Sequence, residues 1–217
     1  MHVAQAGRRA FDFYPTPWDT VKALDIWRYS AEARAIGYIP GLLPVFDLCA
    51  GDGAILKAIT SPLGVYALEI QERFRGDLAN LCKHQRLIAP PVIGDALKYT
   101  WPCSEIVTNT PYGAELMAFL TRIEAHAHQW RCWAFALTRM QWWTESTRLL
   151  HHRPAALLFL SWRPRFVKGT QSTTDRFTYC WAAFDGRAPT APPSAGGYVQ
   201  IPLVWLPRPE RTAARAR

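Results

Sequence analysis

Val45-Phe46-Asp47-Leu48-Cys49-Ala50-Gly51-Asp52-Gly53-Ala54-Ile55-Leu56 is the stretch whose reading decides the fold. An apolar run ending at Leu48-Cys49 passes into a small-residue turn holding Gly51 and Gly53, and an apolar-periodic segment starts at once with Ala54. That order reads as strand, tight turn, helix. Two glycines one residue apart let the backbone take positive φ and approach a ligand with no Cβ in the way, while the helix behind them points its free N–H groups at the same space. Nucleotide-like ligands suit such a place. A plain strand-to-helix turn uses glycine for the same reasons, so the surroundings must decide.

Working outward, Val65 to Ile70 reads as a second strand. It carries Glu69 at its end, about 18 positions after Gly51, where a dinucleotide-type fold places the acid that bonds ribose hydroxyls. Gln71 to Leu87 is helical in pattern, and the stretch Pro90 to Leu97 then gives a third short strand ending in Gly94-Asp95. Ligands of open α/β sheets bind at the carboxyl ends of strands, so Asp47, Glu69 and Asp95 are expected to converge on one crevice with the glycine turn. Glu105 to Thr108 is a fourth strand running into Asn109-Thr110-Pro111-Tyr112. A helix from Ala114 to about His128, a fifth strand over Trp133 to Leu137, a helix from Gln141 to His152, a sixth strand over Ala155 to Trp162 and a seventh over Phe177 to Phe184 follow. The alternation predicts an α/β fold: a seven-stranded, mostly parallel sheet with helices on both faces, ending in an antiparallel pair because no helix separates the last two strands.

On the other side of the opening stretch, Phe11 to Pro17 reads FDFYPTP. Two prolines stiffen an aromatic loop, and Asp19 or Thr20 is expected to cap a helix whose Val21, Leu24, Trp27 and Ala31 share one face. Taken alone, the loop reads as a rigid aromatic segment before a packed helix, a hydrophobic staple at its entrance. The expected organisation is a flexible basic N-terminus over 1–10, one domain over 11–185, a Pro/Gly linker over 186–197, a strand-like extension over 198–207 and a disordered basic tail over 208–217.

With 217 residues and 49% apolar composition the chain can bury one proper core. A formal net charge of +8 favours a polyanionic partner. Five widely spaced cysteines, none in a C-x-x-C pair, argue against a disulfide framework and a thiolate zinc site. His126, His128, His151 and His152 lack a completing carboxylate or cysteine, so no metal is expected. The chain shows neither a signal peptide nor a membrane-length apolar run, which predicts a cytoplasmic protein, bacterial or in a phage-infected host cell.

Asn109 to Tyr112 faces the crevice from the end of the fourth strand. An Asn side-chain oxygen and a neighbouring carbonyl both accept hydrogen bonds from an exocyclic amine, Pro111 fixes the turn, and Tyr112 can stack on a planar base. Drawing both amine protons into hydrogen bonds localises the nitrogen lone pair and aims it at an electrophile. An ordinary Asn turn closed by proline is the structural alternative.

The succession FYPTP, DLCAGDG, Glu69, Asp95 and NTPY resembles the S-adenosylmethionine-dependent adenine-N6 DNA methyltransferases, in particular small phage-type members with an N-P-P-Y-like motif. The likeness covers most of Phe11 to Asp185 and implies a Rossmann-like class I methyltransferase fold with S-adenosylmethionine as cofactor. It implies Asp47, Ala50, Gly51 and Gly53 around the methionine part, Glu69 on the ribose, and Asp95 with Ala96 on the adenine. Tyr14, Thr16 and Pro17 match the family's N-terminal cofactor motif, and Asn109, Thr110, Pro111 and Tyr112 fall on the catalytic motif, with Asn109 also beside the cofactor. The partner it implies is duplex DNA with a flipped adenine, bound by a monomer or weak dimer.

Two departures stand out. Thr110 replaces the motif's first proline, and the short spacing from Asp95 to Asn109 leaves no room there for a large target-recognition domain, so specificity is expected to be short or relaxed. Recognition then falls to loops. Arg139 and Trp142 in one, and Arg163, Arg165, Lys168 and Arg176 in another, are the candidate nucleic-acid contacts; a solvated basic loop and core tryptophans are the plain readings. Transfer to RNA adenine or guanine, or to a protein glutamine, keeps the same motif. A non-catalytic nucleic-acid-binding protein keeps only the fold. A nicotinamide oxidoreductase would need G-x-G-x-x-G, and position 56 is Leu.

Overall fold

In the computed structural model the residues described are 14–84, 87–145, 152–168, 171–174, 177–188 and 201–210. Strand β1 (Val45–Asp47) is the hub that the opening stretch predicts. It pairs in parallel with β2 (Val65–Glu69) on one side and β4 (Glu105–Thr108) on the other. Outward from β2 lies β3 (Val92–Ile93), and outward from β4 lies β5 (Trp133–Arg139), both parallel. Strand β9 (Tyr179–Asp185) runs antiparallel between β5 and β6 (Ala156–Leu160). The antiparallel pair is therefore internal to the sheet, with the chain's last hairpin-like return inserted beside β5.

An eighth strand completes the sheet. Strand β10 (Leu203–Leu206) pairs in parallel with β6, giving the order β10-β6-β9-β5-β4-β1-β2-β3. The strand-like extension is thus an edge strand of the sheet. Its Leu203 and Trp205 are exposed, with the Trp205 ring 5.3 Å from that of Phe159. The polar loop expected between the sixth and seventh strands holds a separate hairpin, β7 (Arg165–Lys168) against β8 (Gln171–Thr174).

Alternation along the strands divides the core into two layers. Val45, Val107, Phe135, Leu137 and Trp181 face one layer, against helices α1 (Trp18–Arg28), α2 (Ala31–Ala35), α3 (Ala54–Ala58) and α4 (Arg75–His84). Phe46, Ile106, Ala134, Ala136 and Ala182 face the other, covered by α5 (Leu116–Trp130). A short α6 (Gln141–Thr144) follows β5.

Several expected helices are shorter than their patterns. Helix α1 is capped by Pro17 with no side-chain bond, so neither Asp19 nor Thr20 caps it; it ends at Arg28, and Ala31 opens α2 exposed. Val21, Leu24 and Trp27 do share its buried face. The pattern from Gln71 resolves into a 3₁₀ turn, Glu72–Phe74, and α4, beyond which Leu87 bridges Val65 beside β2. Residues 1–13, 189–200 and 211–217, on which fall the expectations for the N-terminus over 1–10, for most of the linker and for most of the tail, lie outside the described residues. Among the described residues no helix is long and apolar enough to cross a membrane, and no metal-binding group of His, Cys, Asp and Glu is found.

Candidate active site

A cavity of about 730 Å³ opens along the carboxyl ends of β1, β2, β3 and β4. That size is ordinary for a small-molecule site. It is lined by Tyr14, Thr16, Asp47, Ala50, Glu69, Asp95, Ala96, Asn109, Thr110, Pro111 and Tyr112, which brings together eleven of the residues singled out from sequence. Cys49, Asp52, Gln71, Gly94, Glu115 and Phe119 line it too and were not foreseen. Gln71 could have been found as the residue just past a strand's end; Phe119 lies a turn into α5 and carries no local signal.

Gly51 and Gly53 serve the site from behind. Both hold positive φ, +52° and +81°. A Cβ on Gly53 would meet the Leu81 side chain of α4 at 2.1 Å, and its φ of +81° is one that side-chain-bearing residues rarely adopt, so packing and backbone both favour glycine here. Gly51 turns its N–H to Glu69 Oε2 at 2.7 Å. The other Glu69 oxygen accepts from Gln71 N–H at 2.9 Å, so two backbone donors fix a buried carboxylate at the end of β2. Each oxygen keeps a further lone pair for a ligand hydroxyl. Pro17 does not line the cavity; it caps α1.

Asp47 is held differently. Its Oδ1 accepts from Cys49 N–H at 3.2 Å and from the Thr108 hydroxyl at 2.9 Å, while Oδ2 is buried with no hydrogen-bond partner among the described residues. Burial pushes its carboxyl up to about 7, against those two hydrogen bonds, with Glu69 and Asp52 adding repulsion. Asp95 accepts from Leu97 N–H at 2.9 Å and lies 3.4 Å from the Lys98 ammonium. Five carboxylates (Asp47, Asp52, Glu69, Asp95 and Glu115) thus line one cavity in a chain of net charge +8. Such a concentration of one sign in a concave site attracts a cationic ligand.

Asn109 sits between two hydroxyls. Its Nδ2 donates to Thr16 Oγ1 at 3.0 Å, and its Oδ1 accepts from the Tyr112 hydroxyl at 2.7 Å. The N-terminal aromatic loop is therefore a wall of the cavity as well as the start of α1. Thr110 is fully buried, and its hydroxyl has no hydrogen-bond partner among the described residues.

The proposed nucleic-acid contacts divide. Arg139 is buried, its guanidinium stacked 3.8 Å from the Phe177 ring and 5.0 Å from that of Tyr112, with Nε donating to the Tyr179 hydroxyl at 3.3 Å. It supports Tyr112 from below and cannot reach a phosphate backbone. Trp142 is half-buried against the α5-side core. Arg163 and Arg165 are exposed at the base of the β7–β8 hairpin, whose Phe166 packs 5.1 Å from Tyr179 and so adjoins Tyr112. The side chain of Lys168 and all of Arg176 lie outside the described residues.

No family model matches the sequence, and no curated protein matches it. Solved structures do resemble the fold. A candidate RNA methyltransferase from Pyrococcus horikoshii superposes with a TM-score of 0.57 at 19% identity, over 80% of this chain and 87% of that one. A candidate class I S-adenosylmethionine-dependent methyltransferase from Listeria monocytogenes gives 0.54 at 11% identity, over 88% of this chain and 65% of that one. The M protein of the type I restriction enzyme EcoKI gives 0.54 at 14% identity, over 78% of this chain and 43% of that one.

Proposed function

The chain has the class I methyltransferase fold, and we propose that it transfers a methyl group from S-adenosylmethionine to the exocyclic N6 amine of adenine in DNA. The observation that carries the reading is that Asn109-Thr110-Pro111-Tyr112 opens onto the same cavity as Glu69 and Asp95. The residues fit the donor. A sulfonium and an ammonium suit a cavity lined by five carboxylates, and the orphaned Oδ2 of Asp47 is a buried acceptor in want of a cation. Glu69, pinned by Gly51 and Gln71, presents lone pairs to a ribose diol.

Bound beside Glu69 and Asp47, S-adenosylmethionine would supply an electrophilic methyl, its S–C bond breaking as the N–C bond forms so that a neutral thioether would leave and the extra amine proton would pass to water. Asn109 Oδ1 retains a lone pair beyond its bond from Tyr112 and accepts one amine proton; the backbone carbonyl after it can accept the other. Tyr112 presents a ring for the base, with Arg139 holding its opposite side. A base must leave its stack to reach this cavity, which unpaired or extruded adenine satisfies. The exposed Arg163 and Arg165 beside the hairpin are the phosphate contacts of this reading, and the reducing cell interior is its location.

Incubation with tritiated S-adenosylmethionine and duplex DNA, RNA or protein, followed by digestion to nucleosides and amino acids, tests it. Label in N6-methyl-2′-deoxyadenosine from DNA is expected. Label confined to RNA or to glutamine would move the substrate, and no label from any of them, with no binding of S-adenosylhomocysteine, would leave a non-catalytic fold. The Asn109→Ala variant should lose transfer by at least about 10³-fold and keep cofactor binding.

A further inference from the structure

We propose that Trp101 and Arg122 are positioning residues that aim the Asp95 carboxylate at the adenine amine of the methyl donor. The proposal rests on the methyl-transfer reading for what Asp95 meets, though not for its geometry. Asp95 opens a single closed turn after β3: Lys98 N–H and Tyr99 N–H donate to its carbonyl at 2.9 and 3.0 Å, and Leu97 N–H donates to its Oδ1 at 2.9 Å. Gly94, Asp95, Ala96 and Leu97 all line the cavity. The Lys98 ammonium, 3.4 Å from Oδ2, is 85% exposed and holds the carboxylate loosely. Its direction is therefore set by the Leu97 N–H.

That N–H is one edge of a rigid plane. The peptide joining Ala96 to Leu97 carries the Ala96 carbonyl on its opposite edge, and this oxygen accepts from Trp101 Nε1 at 2.9 Å. The buried indole thus fixes the plane that points at Asp95. The last carbonyls of a turn find no partner inside it, and here a neighbouring helix supplies one. Arg122 of α5 donates through Nη1 to Leu97 O and through Nη2 to Tyr99 O, while its guanidinium lies 4.7 Å from the Trp101 ring. A planar fork serves two carbonyls and an aromatic face together, which an ammonium does not. The start of the turn is held too, by Gly94 N–H on Glu69 O at 2.8 Å. Phe119, three residues before Arg122 on α5, lines the cavity, so one helix both walls the site and grips this turn.

The experiment titrates wild type, Trp101→Phe, Arg122→Met and Arg122→Lys calorimetrically with S-adenosylhomocysteine and with S-inosylhomocysteine, in which an oxygen replaces the adenine amine. Hydrogen exchange at the amides of Leu97 to Tyr99 is measured beside it, with the amides of β4 as reference. An amine donates to Asp95 whereas the oxygen meets it acceptor to acceptor, so wild type is expected to prefer S-adenosylhomocysteine by at least about tenfold. Trp101→Phe and Arg122→Met should each weaken S-adenosylhomocysteine about tenfold, leave S-inosylhomocysteine within about threefold, and speed exchange at Leu97 about tenfold with β4 unchanged. Arg122→Lys, which reaches one carbonyl, should fall between. A variant that merely loosens the fold weakens both ligands by the same factor, so an unchanged preference overturns the proposal, as does equal wild-type affinity for the two. If wild type binds neither ligand the methyl-donor reading fails, and exchange alone decides: faster exchange at Leu97 in both variants upholds the positioning of Asp95, and unchanged exchange overturns it.

Discussion

The two ends of β4 carry buried charge in opposite ways. At the amino end, Arg28 meets Glu105 through paired bonds of 2.9 and 3.0 Å, Tyr38 donates to the same carboxylate at 2.9 Å, and Asp25 accepts from Arg28, Thr60 and Lys22. Burial alone would lower the Arg28 pKa; the Glu105 carboxylate, with Tyr38, raises it above the ordinary value. Every charge there has its complement inside the protein. At the carboxyl end, Asp47 keeps an unpartnered oxygen and a raised pKa, and Glu69 faces the cavity with only backbone donors behind it. A saturated ionic network locks a fold, whereas an incomplete one beside a cavity waits for a ligand. An orphan by itself does not mark a site, since the indole N–H groups of Trp27 and Trp133 also lack a hydrogen-bond partner among the described residues and line no part of this cavity. The convergence of charge, cavity and strand ends is what separates the two.

The largest effect should break the saturated end. Glu105→Ala removes the paired carboxylate of the fully buried Arg28 guanidinium, leaving Asp25 as its remaining counter-charge, and is expected to cost about 3–5 kcal/mol in urea unfolding. Asp47→Asn removes a charge that burial already disfavours, so at pH 8 the variant should be at least as stable as wild type. Equal losses in the two variants would end the distinction between a locking network and a ligand site.

Next comes the cofactor. Glu69→Gln keeps an acceptor but replaces half of the carboxylate with a donor that faces the Gly51 or Gln71 N–H, so S-adenosylhomocysteine affinity should fall by about tenfold or more, near 1.4 kcal/mol. Calorimetry reads this directly, and an unchanged Kd would remove Glu69 from the ligand.

Why sequence foresaw the carboxyl end better than the amino end follows from the distances along the chain. Gly51, Glu69, Asp95 and Asn109 each stand at a strand end, where strand-to-loop punctuation and α/β topology alone fix their convergence. The Arg28–Glu105 pair spans 77 residues and depends on how α1 crosses the sheet, which no local pattern encodes. The same limit hid the Thr16–Asn109 bond and sent Arg139 to the surface: a lone arginine after an apolar strand looks solvent-bound until Phe177 and Tyr179 return beside it in the antiparallel strand. Strand β10 falls within the expected strand-like extension, and what its local sequence does not encode is its pairing with β6; the flanking Pro202 and Pro207 suit an edge that pairs on one side only.

A smaller effect separates the two ends by pH. Asp47 titrates near 7 in the folded chain against an ordinary 3.8, so the folded state holds a proton that the unfolded chain has released. Its contribution to stability is complete below about pH 4 and is lost as pH rises through 7. A cationic ligand needs the ionised form, so its affinity should move the other way, strengthening several-fold between pH 6 and pH 8. Asp47→Asn should flatten both trends. Parallel pH dependence of stability and affinity would contradict the assignment of Asp47 to a cation.

The smallest effect concerns Thr110, the residue that stands where the resembled motif has proline. Its hydroxyl is buried and, like Oδ2 of Asp47, has no hydrogen-bond partner among the described residues, yet it carries no charge and is shielded from solvent despite bordering the cavity. Thr110→Val preserves the shape and removes the orphan. If the hydroxyl is only a desolvation cost, stability should rise by up to about 1 kcal/mol and transfer should stay within twofold. A tenfold loss of kcat/KM with unchanged S-adenosylhomocysteine affinity would instead mean that the target reaches this hydroxyl when it binds. Thr110 would then belong with Asp47 among the groups that await a ligand, and the proline replacement would be a change of recognition and not a loosened turn.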